Sequence, residues 1–480
     1  MPRVELAGYN VDAQWLAEVA AGLPSPPDWT PETLSAAYAR ISRDPRPVGE
    51  LRRLARQEVG KARAANERIV FGLGHASVAE HAVFNLDVSE VSRLAIEALE
   101  SHRLASYTEK SQRYIRLGED FVVPEEVVRA GLEADFRTLC QRAFARYALL
   151  VGRLMALGIG EKEAGEDARY ALPLAVTGQL GMTLNARSLE HQIQTLAAHP
   201  LEEVRALGRA ILQATRPLAP SLLRYLEPGP YLEGRSRRVA DAWERIRSGR
   251  RASRSDKDSP ADGILLEEGR VRLLAATPRG DETLLAALVC ETTGLDAGEA
   301  LREVEALGPG ERRALFEAVV EHLGPHDSLP RAFEHGIVQV ELVISAAAFG
   351  QLKRHRISSP TPGPYDPGLG ITVPPTMRAD SLREILEEGS REAEDLARRL
   401  GGPGEPASAY CLLNAHRRRV WWTLNLREVY HVSRLREDGH AQWDIRSLTT
   451  ALAGLVREAF PLCASRLGGK DRFPRPAAPS

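Results

Sequence analysis

Two short runs of this 480-residue chain concentrate side chains that bind anions. The first, Ser101-His102-Arg103-Leu104-Ala105-Ser106-Tyr107-Thr108-Glu109-Lys110-Ser111-Gln112-Arg113-Tyr114, holds a His-Arg pair, a carboxylate, several hydroxyls and a second arginine. The second, Gln351-Leu352-Lys353-Arg354-His355-Arg356-Ile357-Ser358, repeats the His-Arg chemistry. An arginine presents a planar fork that matches a phosphate, and a neighbouring serine hydroxyl or backbone N–H completes the cradle. A solvated loop with helix-capping residues is the plainer alternative. Ahead of the first run, Val88, Val91, Leu94, Ala95 and Leu99 recur at helical spacing, which predicts a buried helix over 88–99 that ends at the cluster.

Further helices are predicted at about 127–157, 200–226, 379–400 and 445–466, and strands over Ala82–Val88 and Gly336–Ser345. With 43% hydrophobic and 27% charged residues the chain builds real cores, and its length predicts about two to four domains. A formal charge of −2 gives no global field toward nucleic acid or membrane. Cys140, Cys290, Cys411 and Cys463 show neither metal-ligand spacing nor disulfide density, as expected in a reducing cytosol. Met1-Pro2-Arg3-Val4-Glu5 lacks a signal-peptide pattern and no apolar run reaches membrane-spanning length, so a cytoplasmic protein is expected.

The chain repeats itself. Glu80-His81 precedes His102-Arg103 at nearly the spacing that separates Glu334-His335 from His355-Arg356. Met182-Thr183-Leu184-Asn185-Ala186-Arg187 returns as Trp422-Thr423-Leu424-Asn425-Leu426-Arg427. Between the copies, Arg235 to Pro260 is rich in Arg, Ser and charge without sustained apolar periodicity. The expected division is a first lobe at 1–230, a basic and polar linker at 231–262 and a second lobe at 263–480.

The first run resembles the signature of the flavin-dependent thymidylate synthases, an Arg-His-Arg followed by Ser-x-Arg, with Ser101 where the first arginine belongs. Gly74-His75-Ala76-Ser77-Val78-Ala79-Glu80-His81 is similar to that family's Gly-His-x-Ser/Thr-x-x-Glu-His segment. Arg169-Tyr170-Ala171-Leu172-Pro173-Leu174 and Asn185-Ala186-Arg187-Ser188-Leu189 resemble two later motifs. Arg436-Glu437-Asp438-Gly439-His440-Ala441-Gln442-Trp443-Asp444-Ile445 resembles its Arg-x-x-x-His-Ala-Gln-Trp-x-Ile segment. The resemblance implies an α/β (α+β) fold with two tandem lobes, each a curved sheet flanked by helices. It implies reductive methylation of dUMP to dTMP, with FAD as cofactor and NADPH and methylenetetrahydrofolate as co-substrates.

The resemblance also implies roles. Glu109, Ser111, Arg113 and Arg169 match dUMP-binding positions in the first copy, and Gln351, Arg354 and Arg436 match the complementary set in the second. Each copy lacks what the other keeps: Ala98 and Leu196 stand where Gln351 and Arg436 would be, and Pro364, Asp366 and Ala409 stand for Ser111, Arg113 and Arg169. One composite site is therefore expected, with Arg436 and Arg354 as its catalytic arginines. FAD contacts are expected from His75, Ser77, Glu80, His102, Arg103, Asn185, Arg187 and His191, and from His355, Arg356, Asn425, His431 and His440 of the second copy. No cysteine lies in a matched motif, which agrees with hydride delivery from flavin rather than thiolate attack. The family is typically tetrameric, so a doubled chain implies a homodimer, a pseudo-tetramer. On residue type alone, His75 and His81 fit satisfied core histidines equally well, Glu80 a buried structural acid, Arg417 to Arg419 a solvated face, and Trp421, Trp422 and Trp443 core. A non-catalytic flavin- or nucleotide-binding descendant and a flavoenzyme acting on another nucleotide are the alternative functions.

Overall fold

The computed structural model of the chain describes residues 2–22, 24, 28–113, 115, 118, 120–253 and 270–471. Two compact units emerge, Met1–Ser259 with Arg391–Leu412, and Pro260–Ser390 with Leu413–Ser480. The segment Arg391–Leu412, which the repeat assigns to the second copy, thus packs with the first.

The first unit is built on a four-stranded antiparallel sheet of order β1-β2-β4-β3, from β1 (Arg3–Tyr9), β2 (Val83–Ser92), β3 (Ser106–Glu109) and β4 (Thr177–Asn185). In β2, Phe84, Leu86 and Val88 are buried while Asn85 and Asp87 are exposed, the period of two expected of a half-covered strand. The register breaks between Val88 and Val91, where Glu90 takes a left-handed φ of 56°, a β-bulge that re-aims the strand end. Ser92 then caps the helix Arg93–Leu99 by accepting from Ala95 N–H at 3.0 Å.

The second unit repeats this plan with β5 (Val271–Ala276), β6 (Ile337–Ser345), β7 (Ser359–Tyr365) and β8 (Arg417–Asn425) in the order β5-β6-β8-β7. Pairing registers agree: Ser106 faces Thr183 as Ser359 faces Thr423, and Val83 faces Asn185 as Ile337 faces Asn425. Ser345 caps Ala346–Leu352 as Ser92 caps its helix. Asn185 and Asn425 likewise cap the helices Ala186–Ala197 and Leu426–Arg436. The second core packs Val338, Val340, Leu342 and Ile344 of β6 and Trp422 of β8 against Leu448, Leu452 and Val456 of the helix Trp443–Ala459. Each such side chain contributes about 1.5–3 kcal/mol by leaving water.

The structure corrects several expected boundaries. Residues 88–92 belong to β2, and the helix begins only at Arg93. The 127–157 helix is two, Glu125–Arg129 and Glu133–Ala156, parted at Gly131 with φ 70°. The 200–226 helix stops at Thr215, because Pro217 lacks the N–H to continue it. The helix at 445–466 ends at Ala459, just ahead of Pro461. Within the expected linker, Arg235–Ser253 is a helix, and residues 254–262 lie outside the described set, as does Tyr114. Among the described residues no helix is long and apolar enough to cross a membrane.

Candidate functional site

In the first unit, the strand-to-helix junction at Ser92 delivers Arg93 to a buried cluster. Arg93 Nη1 lies 3.4 Å from Glu109 Oε1 on β3, and both side chains are more than nine-tenths buried. Arg113 Nε donates to Glu166 Oε2 at 2.8 Å, and Arg169 Nε donates to the Glu166 carbonyl at 3.1 Å. Ser111 Oγ accepts from Arg113 N–H at 3.1 Å, fixing the turn that carries Arg113. Arg169 is buried beside Arg93 and Arg113, and burial, reinforced by these two like charges, pulls its pKa below the usual guanidinium value. Arg93 and Arg113 each meet a carboxylate and Arg169 a backbone carbonyl, and guanidiniums gathered in a region of low dielectric suit a bound anion. The structure thus brings together Glu109, Ser111, Arg113 and Arg169. Arg93 and Glu166 were missed: Glu166 stands three residues before Arg169 on one helical face, a signal that the sequence carried.

The other first-copy positions form separate groups. Arg187 Nη1 meets Glu80 Oε1 at 2.5 Å. The His102 and His191 rings lie 5.5 Å apart, and burial, aided by His191, lowers the His102 pKa to about 4. His75 approaches Arg43 Nη2 at 3.4 Å through its Nε2. His75, Ser77, Glu80 and His81 are exposed on or beside the short helix Ala76–His81, so they are neither core histidines nor a buried acid. Arg103 is exposed as well.

In the second unit, the equivalent junction gathers the complementary set. Arg436, in the last turn of Leu426–Arg436, donates from Nε to His355 Nε2 at 3.0 Å and from Nη2 to the Gln351 carbonyl at 3.2 Å. Gln351 Nε2 donates to Gln442 Oε1 at 3.3 Å, and the same oxygen caps the helix Trp443–Ala459 at Asp444 and Ile445. His355 is 97% buried, packed 5.7 Å from the His431 ring and 6.5 Å from the Trp422 ring. Burial, followed by the nearby Arg436, His431 and Arg354, pushes its pKa well down, so it is neutral. A cavity of about 200 Å³ opens beside it, lined by Asn425, Arg427, Glu428, His431 and Arg434 among others. Arg427 meets Glu334 Oε1 at 2.9 Å, reproducing the Arg187–Glu80 pair. Arg354 and His440 are exposed, His440 against Asp438 at 2.8 Å, while Arg356 is half-buried.

The second unit's own counterpart of the three-arginine cluster is filled in. Ala346 stands for Arg93, and Asp366 for Arg113, capping a short turn at Gly368. Arg418, expected on a solvated face, is buried instead: its guanidinium carbon lies 4.2 Å from the Tyr365 ring centroid and 4.9 Å from that of Phe349, and its Nε donates to the Gly363 carbonyl at 2.7 Å. The same strand position in the first unit is Gly178, opposite Val91 as Arg418 is opposite Ile344. Of the tryptophans, Trp422 is core and Trp421 is exposed. Burial raises the thiol pKa of Cys140, Cys411 and Cys463, which leaves none of the three poised as a thiolate.

The second-unit cavity presents two arginines, an imidazole and an amide together with the carboxylates of Asp327, Glu334 and Glu428, Glu334 being paired with Arg427, so the lining fits a hydroxyl-bearing polar part of a dinucleotide cofactor. Its volume takes a portion of such a group and not the whole.

Comparison with known proteins bears on this geometry. A flavin-dependent thymidylate synthase of Clostridium tetani is 30% identical over 213 residues, which is 41% of this chain and 83% of that protein. One from Pyrococcus abyssi is 36% identical over 127 residues, 25% of this chain, so the chain spans about half the length (49%) of that relative. Among solved structures, a UMP/dUMP methylase PolB from Streptomyces cacaoi bound with 5-Br dUMP is similar at 20% identity and a TM-score of 0.35, covering 46% of this chain and 93% of that one. The profile of the thymidylate synthase complementing protein family matches twice, at residues 28–221 and 272–462. The chain belongs to that family and carries two tandem copies of its domain.

Proposed function

We propose that the chain is a flavin-dependent thymidylate synthase that methylates dUMP reductively, with methylenetetrahydrofolate and NADPH as co-substrates, at one composite site that draws residues from both copies. The observation that carries it is the sorting of the two copies. The anion-binding half (Ser111, Arg113, Arg169) is kept only in the first, and the Gln351, Arg354 and Arg436 half only in the second, with Ala98, Ser101 and Leu196 in their places in the first. In this assignment Arg113 and Arg169, with the Ser111 hydroxyl, hold the nucleotide phosphate through charge-assisted hydrogen bonds. Arg436 faces the uracil ring and stabilises the negative charge that develops at O2, N3 and O4 as hydride arrives at C6. Arg354 and Gln351 position nucleotide and flavin. FAD, when bound, would supply the hydride chemistry, and Asn425, Arg427, His431 and Arg434 would hold part of it. The absence of a poised thiolate among three of the four cysteines favours this route over cysteine attack. The expected assembly is a homodimer of two-lobed chains.

The test is turnover by the purified, flavin-loaded protein. Arg113→Ala and Arg436→Ala should each remove activity, since truncating one partner of a buried charged contact costs about 2–5 kcal/mol. Arg187→Ala, in an exposed pair, should matter much less. Co-expressing the Arg113→Ala and Arg436→Ala chains separates two arrangements: activity returns if each site forms between chains and stays lost if it forms within one. Flavin binding without any turnover would point instead to a non-catalytic descendant, and full activity of the Arg436→Ala protein would defeat the composite site.

A further inference from the structure

The Arg436 contact has a chemical requirement that reaches one residue further. A guanidinium donates hydrogen bonds and accepts none. Arg436 Nε–H points at His355 Nε2 at 3.0 Å, so that nitrogen must carry a lone pair. The imidazole proton therefore sits on Nδ1. This atom is buried and has no hydrogen bond partner within 3.5 Å among the described residues, a costly state for a polar atom in a core. Glu428 Oε1 lies 3.6 Å away, and both side chains are more than nine-tenths buried. Glu428 is held there by its own backbone, since its N–H caps on Asn425 Oδ1 at 2.8 Å. The groups facing His355 are otherwise Arg436, Arg354, His431 and the Trp422 ring, and none of these offers a carboxylate.

We propose that Glu428 is a positioning residue: it accepts the Nδ1 proton of His355, fixes that tautomer, and so holds the Arg436 guanidinium in its working orientation. The wrong tautomer places N–H against N–H and turns Arg436 away. A doubly protonated ring does the same and adds like-charge repulsion. Burial keeps His355 neutral, which favours the arrangement, and burial also raises the Glu428 pKa, so the carboxylate gains from a donor close by. The inference rests on the assignment of Arg436 to the reacting nucleotide only for its effect on turnover. The tautomer itself is a property of the folded chain.

The experiment therefore has two arms. In the first, the protein is labelled with nitrogen-15 at histidine and the His355 resonances are assigned by their loss in His355→Gln. The expected result is a neutral ring protonated at Nδ1 in the unaltered protein and a ring that loses this preference in Glu428→Leu. A ring protonated at Nε2, or an imidazolium, in the unaltered protein overturns the proposal. In the second arm, turnover of the flavin-loaded protein is measured. Glu428→Leu should lower kcat by about tenfold or more, the scale set by misplacing a reacting group, with KM for dUMP within about twofold. Glu428→Gln, whose amide oxygen accepts the same proton, should recover most of the loss. Equal kcat in Glu428→Leu and the unaltered protein overturns the role, as does a Glu428→Gln protein as impaired as Glu428→Leu. Should Glu428→Leu fail to fold, the tautomer of the unaltered protein and the Glu428→Gln rate still decide. If the unaltered protein makes no thymidylate, the synthase assignment falls while the imidazole result stands by itself.

Discussion

Arg418 and Gly178 occupy the same place on equivalent strands, and the exchange shows how a single residue fills the space beside a strand. A Cβ at Gly178 would come within 2.5 Å of Ile96 Cδ1, so the first copy needs a glycine for that isoleucine to lie against the strand. The second copy has Phe349 in place of Ile96, and Arg418 lies between Phe349 and Tyr365 with its charge over both rings. Arg418→Ala removes that stacking and the packing of the long side-chain stem, and should destabilise the protein by about 2–4 kcal/mol. Nucleotide affinity should stay within twofold of the unaltered protein's, because the proposed assignment gives the phosphate to the first copy. Urea unfolding and a dUMP titration check the pair of outcomes. Tighter nucleotide binding in Arg418→Ala would show that the arginine blocks a live site.

At the scale of elements, both copies use one device, a strand that ends on a capping Ser or Asn and turns directly into a helix. Ser92 serves two masters: its Oγ accepts from Ala95 N–H and donates to Glu203 Oε2 at 2.6 Å, while its N–H donates to Glu203 Oε1 at 2.6 Å. Tyr410 Oη completes the same carboxylate at 2.7 Å, and burial raises the Glu203 pKa. Ser92→Ala therefore loses a cap and leaves a buried carboxylate short of a donor, and should cost about 2–4 kcal/mol, more than an exposed cap is worth. Denaturant midpoints measure it, with Asp296→Ala, an exposed cap, as the smaller reference. Much of this plan was legible in the sequence, because the repeat fixed strand-to-helix junctions and the motif residues sit on them. The helix expected over 88–99 was misjudged because Val88 and Val91 face the core from a bulged strand, whose spacing imitates a helical turn. No local pattern marks the role of Arg93, whose contact with Glu109 joins separate segments, and the spacing of Glu166 to Arg169 and the motif around Gln442 do not reveal their contacts with Arg113 and Gln351. Burial of Arg418 is equally unmarked, because it depends on two aromatic neighbours that no local pattern announces.

For the whole molecule, three desolvated imidazoles, His355 buried and His102 and His199 half-buried, make stability depend on acidity. Burial lowers His102 and His199 to about 4, with His191 and Arg205 adding to the effect, and pushes His355 well down. Unfolded histidine titrates near about 6.5, so between about pH 6.5 and 4 the unfolded chain takes up protons that the fold refuses. Stability should be complete above about pH 6.5 and decline as the pH falls through that window, read as a lower Tm at pH 5 than at pH 7. A His102→Gln, His199→Asn variant should show a shallower decline, and an unchanged slope would assign the acid sensitivity elsewhere. The molecule's second collective property is stoichiometry. Two domain copies would bind two nucleotides if each retained its phosphate groups. In the second copy, Ala346 and Asp366 replace Arg93 and Arg113, and Arg418 fills the space. Two arginines are lost and a carboxylate gained, while the one added guanidinium, that of Arg418, stacks on Tyr365 and donates to the Gly363 carbonyl, so the attraction for a phosphate dianion is weakened. Calorimetric titration of the flavin-loaded protein with dUMP should therefore saturate at one nucleotide per chain. A value of two would mean that Asp366 and Arg418 do not close the second copy, and the sorting of residues between the copies would lose its functional meaning.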